Sequence, residues 1–245
     1  MEQQPFLISG TSGFSYPDWK RGFYPRLGHE IAYYARHFHT VEVNQTFHRL
    51  PTPQLLASWA KRTPANFTFA VKAWRGITHE GRLRDLEALE DFLQPLRHLG
   101  AKCGPILFQL PKSLTVDEAL LADFLAALPR HHRYAFEMRH ESWHTDKVHG
   151  LLFDAHAALV HVHCKGWTPR TYTAPFAYLR MNGTKGLYRG TYVDVFLKQL
   201  LRSLEHHALE QVYVYFNNTK EGLSALQNAS ALQHYALHAR NARYG

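Results

Sequence analysis

The stretch Thr40-Val-Glu-Val-Asn44 alternates apolar and polar side chains, as a short buried β-strand does. Its two valines share one face, and Glu42 and Asn44 share the other. In a strand of a (β/α)₈ barrel one face meets the surrounding helices and the other points inward, and the carboxyl ends of the strands frame the active site. The segment therefore predicts a barrel strand that carries a carboxylate and an amide to that end.

The same pattern recurs in three further segments, around Glu137, Arg180 and Asn217, where apolar residues oppose polar ones. Two more polar residues come late in their segments, Lys72 in the third and Gln109 in the fourth. The polar residues that this parity places in the barrel interior or at its carboxyl end are Glu42, Asn44, Lys72, Gln109, Glu137, Arg139, Arg180, Asn182 and Asn217. We expect them to line one pocket.

Segments of β character alternate with helical periodicity along the whole chain, which is typical of a parallel sheet. The eight predicted strands are Phe6 to Gly10, Thr40 to Asn44, Phe67 to Lys72, Pro105 to Leu110, Arg133 to Arg139, Ala158 to Cys164, Phe176 to Asn182 and Gln211 to Asn217. The sequence thus predicts an α/β chain with the (β/α)₈ TIM-type barrel fold, as a single domain over residues 1–245.

Local signals refine the predicted helices. Thr52 before Pro53 is typical of a helix start, and Thr115 with Glu118 three residues later has the spacing of a capping box. The connection from Lys165 to Ala174 is short and polar, so one helix after strand six is expected to be missing or degenerate.

Composition excludes several classes of protein. A hydrophobic fraction of 45% with 20% charged residues excludes a disordered chain, and every apolar run ends well short of a membrane-spanning helix. The N-terminal Met-Glu-Gln-Gln-Pro has no signal-peptide character, and Cys103 and Cys164 form no close pair. These features favour a cytoplasmic protein, and the net charge of +8 favours anionic partners over a membrane.

Charged residues in a barrel interior lose hydration and must pair with each other or with a ligand. One reading is a purely structural layer of ion pairs, for instance Glu42 with Lys72 and Glu137 with Arg180. The other is a functional site, since ion pairs rarely gather at the catalytic end of this fold. Lys72 could form a Schiff base, although neutralisation of Glu42 is the preferred interpretation.

The predicted loops after the strands carry aromatic and basic residues. Trp19, Trp74, Trp143 and Trp167 follow strands one, three, five and six, and exposed rings there would stack on a sugar or a base. The alternative is a lid packed on itself. The loop cations are Lys165, Arg170, Lys185, Arg189 and Lys220. The loops after strands seven and eight, at 182–186 and 218–222, are small and basic, as in barrels that bind phosphate.

Histidines offer two further interpretations. His161 and His163 lie on one face of strand six and could bind a metal with Glu137, although chance pairs are expected among 18 histidines. His79 beside Glu80 could transfer protons or could only cap the following helix. The sequence predicts no organic cofactor and no metal, with a metal-dependent barrel as the lesser alternative.

Seven motifs give the chain a family resemblance. They are Gly10-Thr-Ser-Gly-Phe-Ser-Tyr-Pro-Asp-Trp19, Tyr34-Ala-Arg-His-Phe38, Val41-Glu-Val-Asn44, Phe69-Ala-Val-Lys72, Phe108-Gln-Leu-Pro111, Phe136-Glu-Met-Arg-His-Glu-Ser-Trp143 and Tyr213-Val-Tyr-Phe-Asn-Asn218. In this order they resemble the YecE-like family, the domain of unknown function 72, which implies a TIM barrel and no particular reaction. The family commonly has Arg-x-His-Gly after strand seven, whereas this chain has Arg180-Met-Asn-Gly183. If that histidine exchanges a proton, this chain must recruit another group, such as His79 or His163.

The favoured function is an enzyme, a hydrolase or lyase without an organic cofactor. Its expected substrate is a polar molecule with a ring and an anionic group, such as a sugar phosphate, a nucleotide or a nucleic-acid end. Glu137 and Glu42 are the expected acid and base, Lys72 the expected cation, Trp19 and Trp143 would bracket the ring, and Lys185 would contact the anion. The alternatives are a non-catalytic binder of single-stranded nucleic acid or RNA, and a metal-dependent barrel of the sugar isomerase or apurinic endonuclease type.

Overall fold

The computed structural model describes residues 6–168 and 171–244. Its strands form one eight-stranded sheet in the order β1-β8-β7-β6-β5-β4-β3-β2. Sequence neighbours are therefore sheet neighbours, and the first strand pairs with the last in parallel. The strands are β1 (Phe6–Thr11), β2 (Thr40–Val43), β3 (Thr68–Lys72), β4 (Cys103–Leu110), β5 (Tyr134–Met138), β6 (Ala158–Cys164), β7 (Phe176–Gly183) and β8 (Gln211–Phe216).

This strand order is that of a (β/α)₈ barrel and confirms the predicted fold class. All eight predicted strands are present, and each observed end lies within two residues of its prediction. The register β1–β8 runs from Phe6 opposite Gln211 to Thr11 opposite Phe216. β7 pairs with β8 over the same six residues of β8, so the carboxyl ends of these strands are level.

Helices connect most of the strands. The α-helices are α1 (Trp19–Gly22), α2 (Glu30–Tyr34), α3 (Gln45–His48), α4 (Pro53–Lys61), α5 (Leu86–Leu96), α6 (Glu118–Ala127), α7 (Asp146–Asp154), α8 (Asp194–Leu204) and α9 (Ser224–Tyr244). A π-helical turn covers Gly76–Glu80, and 3₁₀ turns cover Arg97–Lys102 and Glu141–Trp143. Between β6 and β7 the described residues, 165–168 and 171–175, contain no helix, which confirms the predicted degenerate connection.

The helix starts test the capping signals. α4 begins at Pro53, and the Thr52 side chain accepts a hydrogen bond from the Leu55 N–H, as predicted. The predicted capping box at Thr115 is wrong, because α6 begins two residues later and Asp117 accepts from the Leu120 N–H instead. Both residues can cap a helix, and the chain uses the one whose carboxylate also suits the positive helix N-terminus.

By their internal contacts the residues form two compact units. The terminal unit consists of Met1–Val41, His161–Thr168 and Pro175–Gly245, and the central unit consists of Glu42–Val160 and Pro169–Ala174. The single-domain prediction stays a prediction. Among the described residues no helix is long and apolar enough to cross a membrane.

Within the terminal unit, the Tyr34 side chain links β1 to the start of β2. The Thr11 N–H donates to the Tyr34 hydroxyl at 2.9 Å, and that hydroxyl donates to the Thr40 carbonyl at 3.1 Å. The two backbones come close here, since a Cβ on Gly10 would lie 2.1 Å from the Thr40 carbonyl oxygen. Burial raises the pKa of the Tyr34 phenol far above its usual value, so the hydroxyl stays protonated and bonds both strands.

Candidate functional site

The predicted site residues fall in both units. In the central unit, polar side chains lie near the carboxyl ends of four consecutive strands, β2 to β5. Glu42, Lys72, Gln109 and Glu137 are all buried, with exposed fractions of 0%, 8%, 3% and 3%. Parallel strands bring these ends to one edge of the sheet. The central unit therefore gathers charged and amide groups where water does not reach them freely.

Lys72 and Gln109 are joined directly. The Lys72 Nζ donates to the Gln109 Oε1 at 2.9 Å, and it also lies 4.0 Å from the centre of the Phe47 ring. Because an ammonium group only donates, the amide oxygen must face the lysine, which leaves the amide Nε2 for another acceptor. The buried Nε2 has no hydrogen-bond partner anywhere in the described chain.

Glu137 and Arg139 form an ion pair. The Arg139 Nε lies 3.0 Å from a Glu137 carboxylate oxygen, and the exposed side-chain fractions are 31% for the arginine and 4% for the glutamate. β4 and β5 place Gln109 opposite Glu137 in the sheet register. The Gln109 amide on β4 and the Glu137–Arg139 ion pair that begins on β5 therefore lie on adjacent strands.

The turn from β2 into α3 supplies two residues that sequence reasoning missed. The Thr46 hydroxyl donates to the Lys72 carbonyl at 2.7 Å, and Phe47 supplies the ring beside the ammonium group. Asn44, a predicted site residue, is half-buried immediately before α3. The signal that could have found Thr46 and Phe47 is their position directly after a predicted strand end, where loops of this fold carry functional residues.

In the terminal unit the predicted residues form a second polar group. Arg180, Asn182 and Asn217 are buried, with exposed fractions of 2%, 3% and 6%. The Asn217 amide donates to the Asn182 Oδ1 at 3.1 Å, and the Arg180 guanidinium donates weakly to the Ser12 hydroxyl at 3.4 Å. Parity reasoning placed these side chains correctly in the protein interior.

The stacking role predicted for Trp19 and Trp143 is wrong. Both side chains have an exposed fraction of 0%, and each indole N–H is bound to a backbone carbonyl, that of Gly222 for Trp19 and that of Leu114 for Trp143. A fully enclosed indole has no face to offer a ligand, and its bound N–H is typical of a packed residue. The alternative that the sequence left open, loops packed on their own aromatic residues, holds for these two.

The basic loops are also folded on themselves. After β7, the Lys185 N–H donates to the Arg189 carbonyl, and the Arg189 N–H donates to Gly186. After β8, the Lys220 N–H donates to the Tyr188 carbonyl. These N–H groups are therefore not free to hold a phosphate. The Lys185 side chain is exposed, and the predicted loop cation Arg170 lies outside the described residues.

The histidine pair of β6 is buried, with exposed fractions of 1% for His161 and 6% for His163. The His163 Nδ1 lies 3.0 Å from the Tyr192 hydroxyl. Across residues 6–168 and 171–244, no three His, Cys, Asp or Glu side chains are grouped so that they could hold a metal ion. The metal-dependent interpretation gains no support from this arrangement.

Comparison with known proteins identifies relatives of the chain. A family model described as a protein of unknown function, DUF72, matches residues 8–243. The UPF0759 protein YecE of Escherichia coli strain K12 is 35% identical over 127 residues, covering 51% of this chain and 47% of YecE. The chain is thus matched to about half the length of this relative.

Two solved structures of DUF72 proteins share the fold. That of Enterococcus faecalis has a TM-score of 0.79 at 22% identity and covers 94% of both chains. That of Thermotoga maritima has a TM-score of 0.76 at 26% identity, covering 94% of this chain and 99% of the other. Similarity along nearly the full length agrees with the strand order described above.

Proposed function

The chain belongs to the DUF72 family, and we propose that it is an enzyme, a hydrolase or lyase, which acts on a polar, ring-containing anionic substrate. The family name assigns no reaction, so the proposal rests on the central-unit site. We define this site by Lys72, Gln109, Glu137 and Arg139. Sugar phosphates, nucleotides and nucleic-acid ends are the substrates whose chemistry it fits.

One observation carries the proposal, the unpaired Nε2 of Gln109. A buried donor without an acceptor costs about 1–3 kcal/mol, and a catalytic or binding role is one reason for which native proteins keep such a group. The neighbouring ammonium of Lys72 fixes the orientation of the amide and adds a positive charge. A substrate oxygen that carries negative charge would accept a hydrogen bond from the Nε2 and lie close to the positive charge of the ammonium group.

Arg139 offers a second contact for the anion. Only its Nε is bound to Glu137, and its terminal amino groups make no hydrogen bond or ion pair with the described chain. With a third of its side chain exposed, the guanidinium can reach a ligand from solvent. Arginine in this state binds carboxylates and phosphates with two parallel hydrogen bonds.

Glu137 is the group proposed to exchange a proton with the substrate or with the attacking water. Its carboxylate lies deep in the site, and Arg139 orients it through one oxygen. Glu42, which is fully buried on β2, is the proposed second carboxylate. A positioned acid or base contributes about 10²–10⁴-fold to a rate, and Lys72 and Arg139 would stabilise the charge that develops on the substrate.

The test is turnover of a defined panel by the purified chain and two variants. The panel consists of sugar phosphates, nucleoside monophosphates and short single-stranded oligonucleotides, with product formation followed by mass spectrometry. Glu137→Gln should lower the turnover of an accepted substrate at least about 100-fold. The matched control is Glu141→Gln, which changes an exposed carboxylate just after the same strand and should leave turnover within about twofold.

Two results would count against the proposal. Turnover by Glu137→Gln at the rate of the unchanged protein would remove Glu137 from the chemistry. Binding of the oligonucleotides without turnover, with an affinity that falls steeply with salt, would favour a nucleic-acid binding module, because many phosphates would then be contacted. A small anion held by one lysine and one arginine should show a shallow salt dependence instead.

A further inference from the structure

His79 lies on the π-helical turn that follows β3, Gly76–Glu80. The turn is closed by a hydrogen bond from the Gly81 N–H to the Gly76 carbonyl, at 2.7 Å and five residues apart. The indole of Trp74 covers Gly76 so closely that a Cβ there would lie 2.4 Å from a ring carbon. Isolated π-turns are rare and occur frequently at functional sites. The local sequence thus maintains an uncommon backbone shape beside Lys72.

The imidazole of His79 packs against Phe47, and the Phe47 ring also lies beside Lys72 of the site. The two rings meet edge to face, with centres 5.0 Å apart and an interplanar angle of 78°. The same phenyl ring lies 4.0 Å from the Lys72 Nζ. The Thr78 hydroxyl engages the His79 Nδ1 at 2.9 Å, so Nε2 is the ring nitrogen that remains for proton exchange. The Phe47 ring therefore contacts both the His79 imidazole and the Lys72 ammonium group.

The charges that face His79 are mostly positive. They come from Lys72 at the end of β3, from Arg139 after β5, and from Arg75 next to the π-turn. The one facing carboxylate, Glu80, is bound to Arg75 at 2.9 Å and has the smallest influence. Burial is the main cause that holds the pKa of His79 below the ordinary 6.5, and these cations are the second cause. The imidazole is therefore neutral at pH 7 when the site is empty.

We infer that His79 takes up a proton when the central-unit site binds a dianion, and that it then serves as the acid of the reaction. The inference rests on the proposed function, since it needs an anion beside Lys72 and Arg139. A dianion there cancels the positive field of both groups and adds negative charge of its own. A negative charge nearby favours the protonated imidazole, so binding of the dianion should raise the pKa of His79.

In hydrolysis, Glu137 and His79 would each transfer one of the two protons that the step requires. Glu137 accepts a proton from the attacking water as the new bond to the substrate forms. The bond to the leaving oxygen breaks with its electron pair on that oxygen, which takes the proton from His79. Glu137 then releases its proton to solvent, and His79 is recharged when the next dianion binds.

The experiment uses sulfate, a dianion that does not itself titrate between pH 5 and 8. Proton NMR of the ¹³C-labelled histidines of the folded chain, with His79 assigned by His79→Gln, gives its pKa in chloride and in sulfate at equal ionic strength. We expect a value below 6.5 in chloride and a rise of at least about 1 in saturating sulfate. Sulfate affinity, measured by calorimetry, should increase about tenfold between pH 7.5 and 5.5.

His48→Gln is the matched control, because His48 is exposed and its ring also contacts the Phe47 ring. That variant should keep the pH dependence of sulfate affinity, and His79→Gln should lose it. Sulfate binding with an unchanged pKa of His79 would overturn the inference and leave the proposed function standing. A chain that binds no sulfate, with His79 titrating alike in both salts, would overturn the inference and the anion site together.

Discussion

Replacement of Tyr34 by phenylalanine removes one hydroxyl from the junction of β1 and β2. That hydroxyl accepts from the Thr11 N–H at 2.9 Å and donates to the Thr40 carbonyl at 3.1 Å, and Tyr34 is completely buried. The ring remains, so the apolar packing changes little. The variant therefore isolates the polar contribution of a single atom to the junction.

The expected cost follows from these two bonds, because the Thr11 hydroxyl, which also lies 2.9 Å from the Tyr34 oxygen, keeps the Gly13 carbonyl as an acceptor. Leaving the buried Thr11 N–H without its acceptor costs about 1–3 kcal/mol, and losing the bond to Thr40 costs about 0.5–1.5 kcal/mol more. Tyr34→Phe should thus lower the free energy of unfolding by about 2–4 kcal/mol. At roughly 2–4 °C per kcal/mol for a chain of this size, Tm should fall by roughly 5–15 °C.

The assay is urea unfolding followed by circular dichroism, with thermal melting as the second readout. Tyr33→Phe is the control, since the neighbouring Tyr33 is half-buried and its hydroxyl makes no hydrogen bond within the described residues. The control should stay within about 0.5 kcal/mol of the unchanged chain. If Tyr34→Phe is equally mild, the hydroxyl does not hold the two strands together and the explanation of the junction is refuted.

Three further predictions concern the site, the histidines and a cysteine. Gln109→Glu places a carboxylate beside Lys72 and should weaken sulfate binding at least about tenfold in calorimetry; unchanged affinity would remove Gln109 from the anion site. Burial holds the pKa values of His132 and His144 below 6.5, so the unfolded chain binds more protons and the free energy of unfolding in urea should fall as pH drops below about 6.5. The double variant His132→Gln, His144→Gln should reduce that fall, and an equal fall would contradict the assignment. Burial raises the pKa of Cys103 to about 11. Iodoacetamide at pH 8 should therefore alkylate this thiol about 100-fold more slowly in the folded chain than in urea, as followed by mass spectrometry. Equal rates of alkylation would contradict the burial of Cys103.

The strands and their polar ends were predictable because a β-strand repeats every two residues. This period fixes which side chains share a face, so Glu137 and Arg139 could be expected side by side, and they form an ion pair. The same reasoning predicted that Arg180, Asn182 and Asn217 are interior residues, as their burial confirms.

Contacts between strands were not predictable in the same way. The bond between Lys72 and Gln109 depends on the register of β3 against β4, which shifts between Phe69 and Val71. Such an irregularity leaves no period in the sequence. The π-turn that carries His79 could not be predicted from the sequence either, because five residues are too few to show a helical repeat.

The tryptophans show why loop residues are harder to interpret than strand residues. Position after a strand suggested that Trp19 and Trp143 are exposed, whereas both are fully buried. Each indole N–H reaches a carbonyl far along the chain, at Gly222 and Leu114. A contact of that kind depends on how loops pack in three dimensions, and no local pattern encodes it.

The most direct test of the central-unit site is a crystal of the protein soaked in selenate, whose selenium is located by anomalous scattering. Selenate has the charge and shape of sulfate and resembles a phosphate dianion. We predict a selenium peak whose selenate oxygens lie about 3 Å from the Gln109 Nε2 and the Lys72 Nζ, and its loss in Gln109→Glu crystals. Peaks confined to exposed cations such as Lys185, with none beside Gln109, would contradict the site and the function proposed for it.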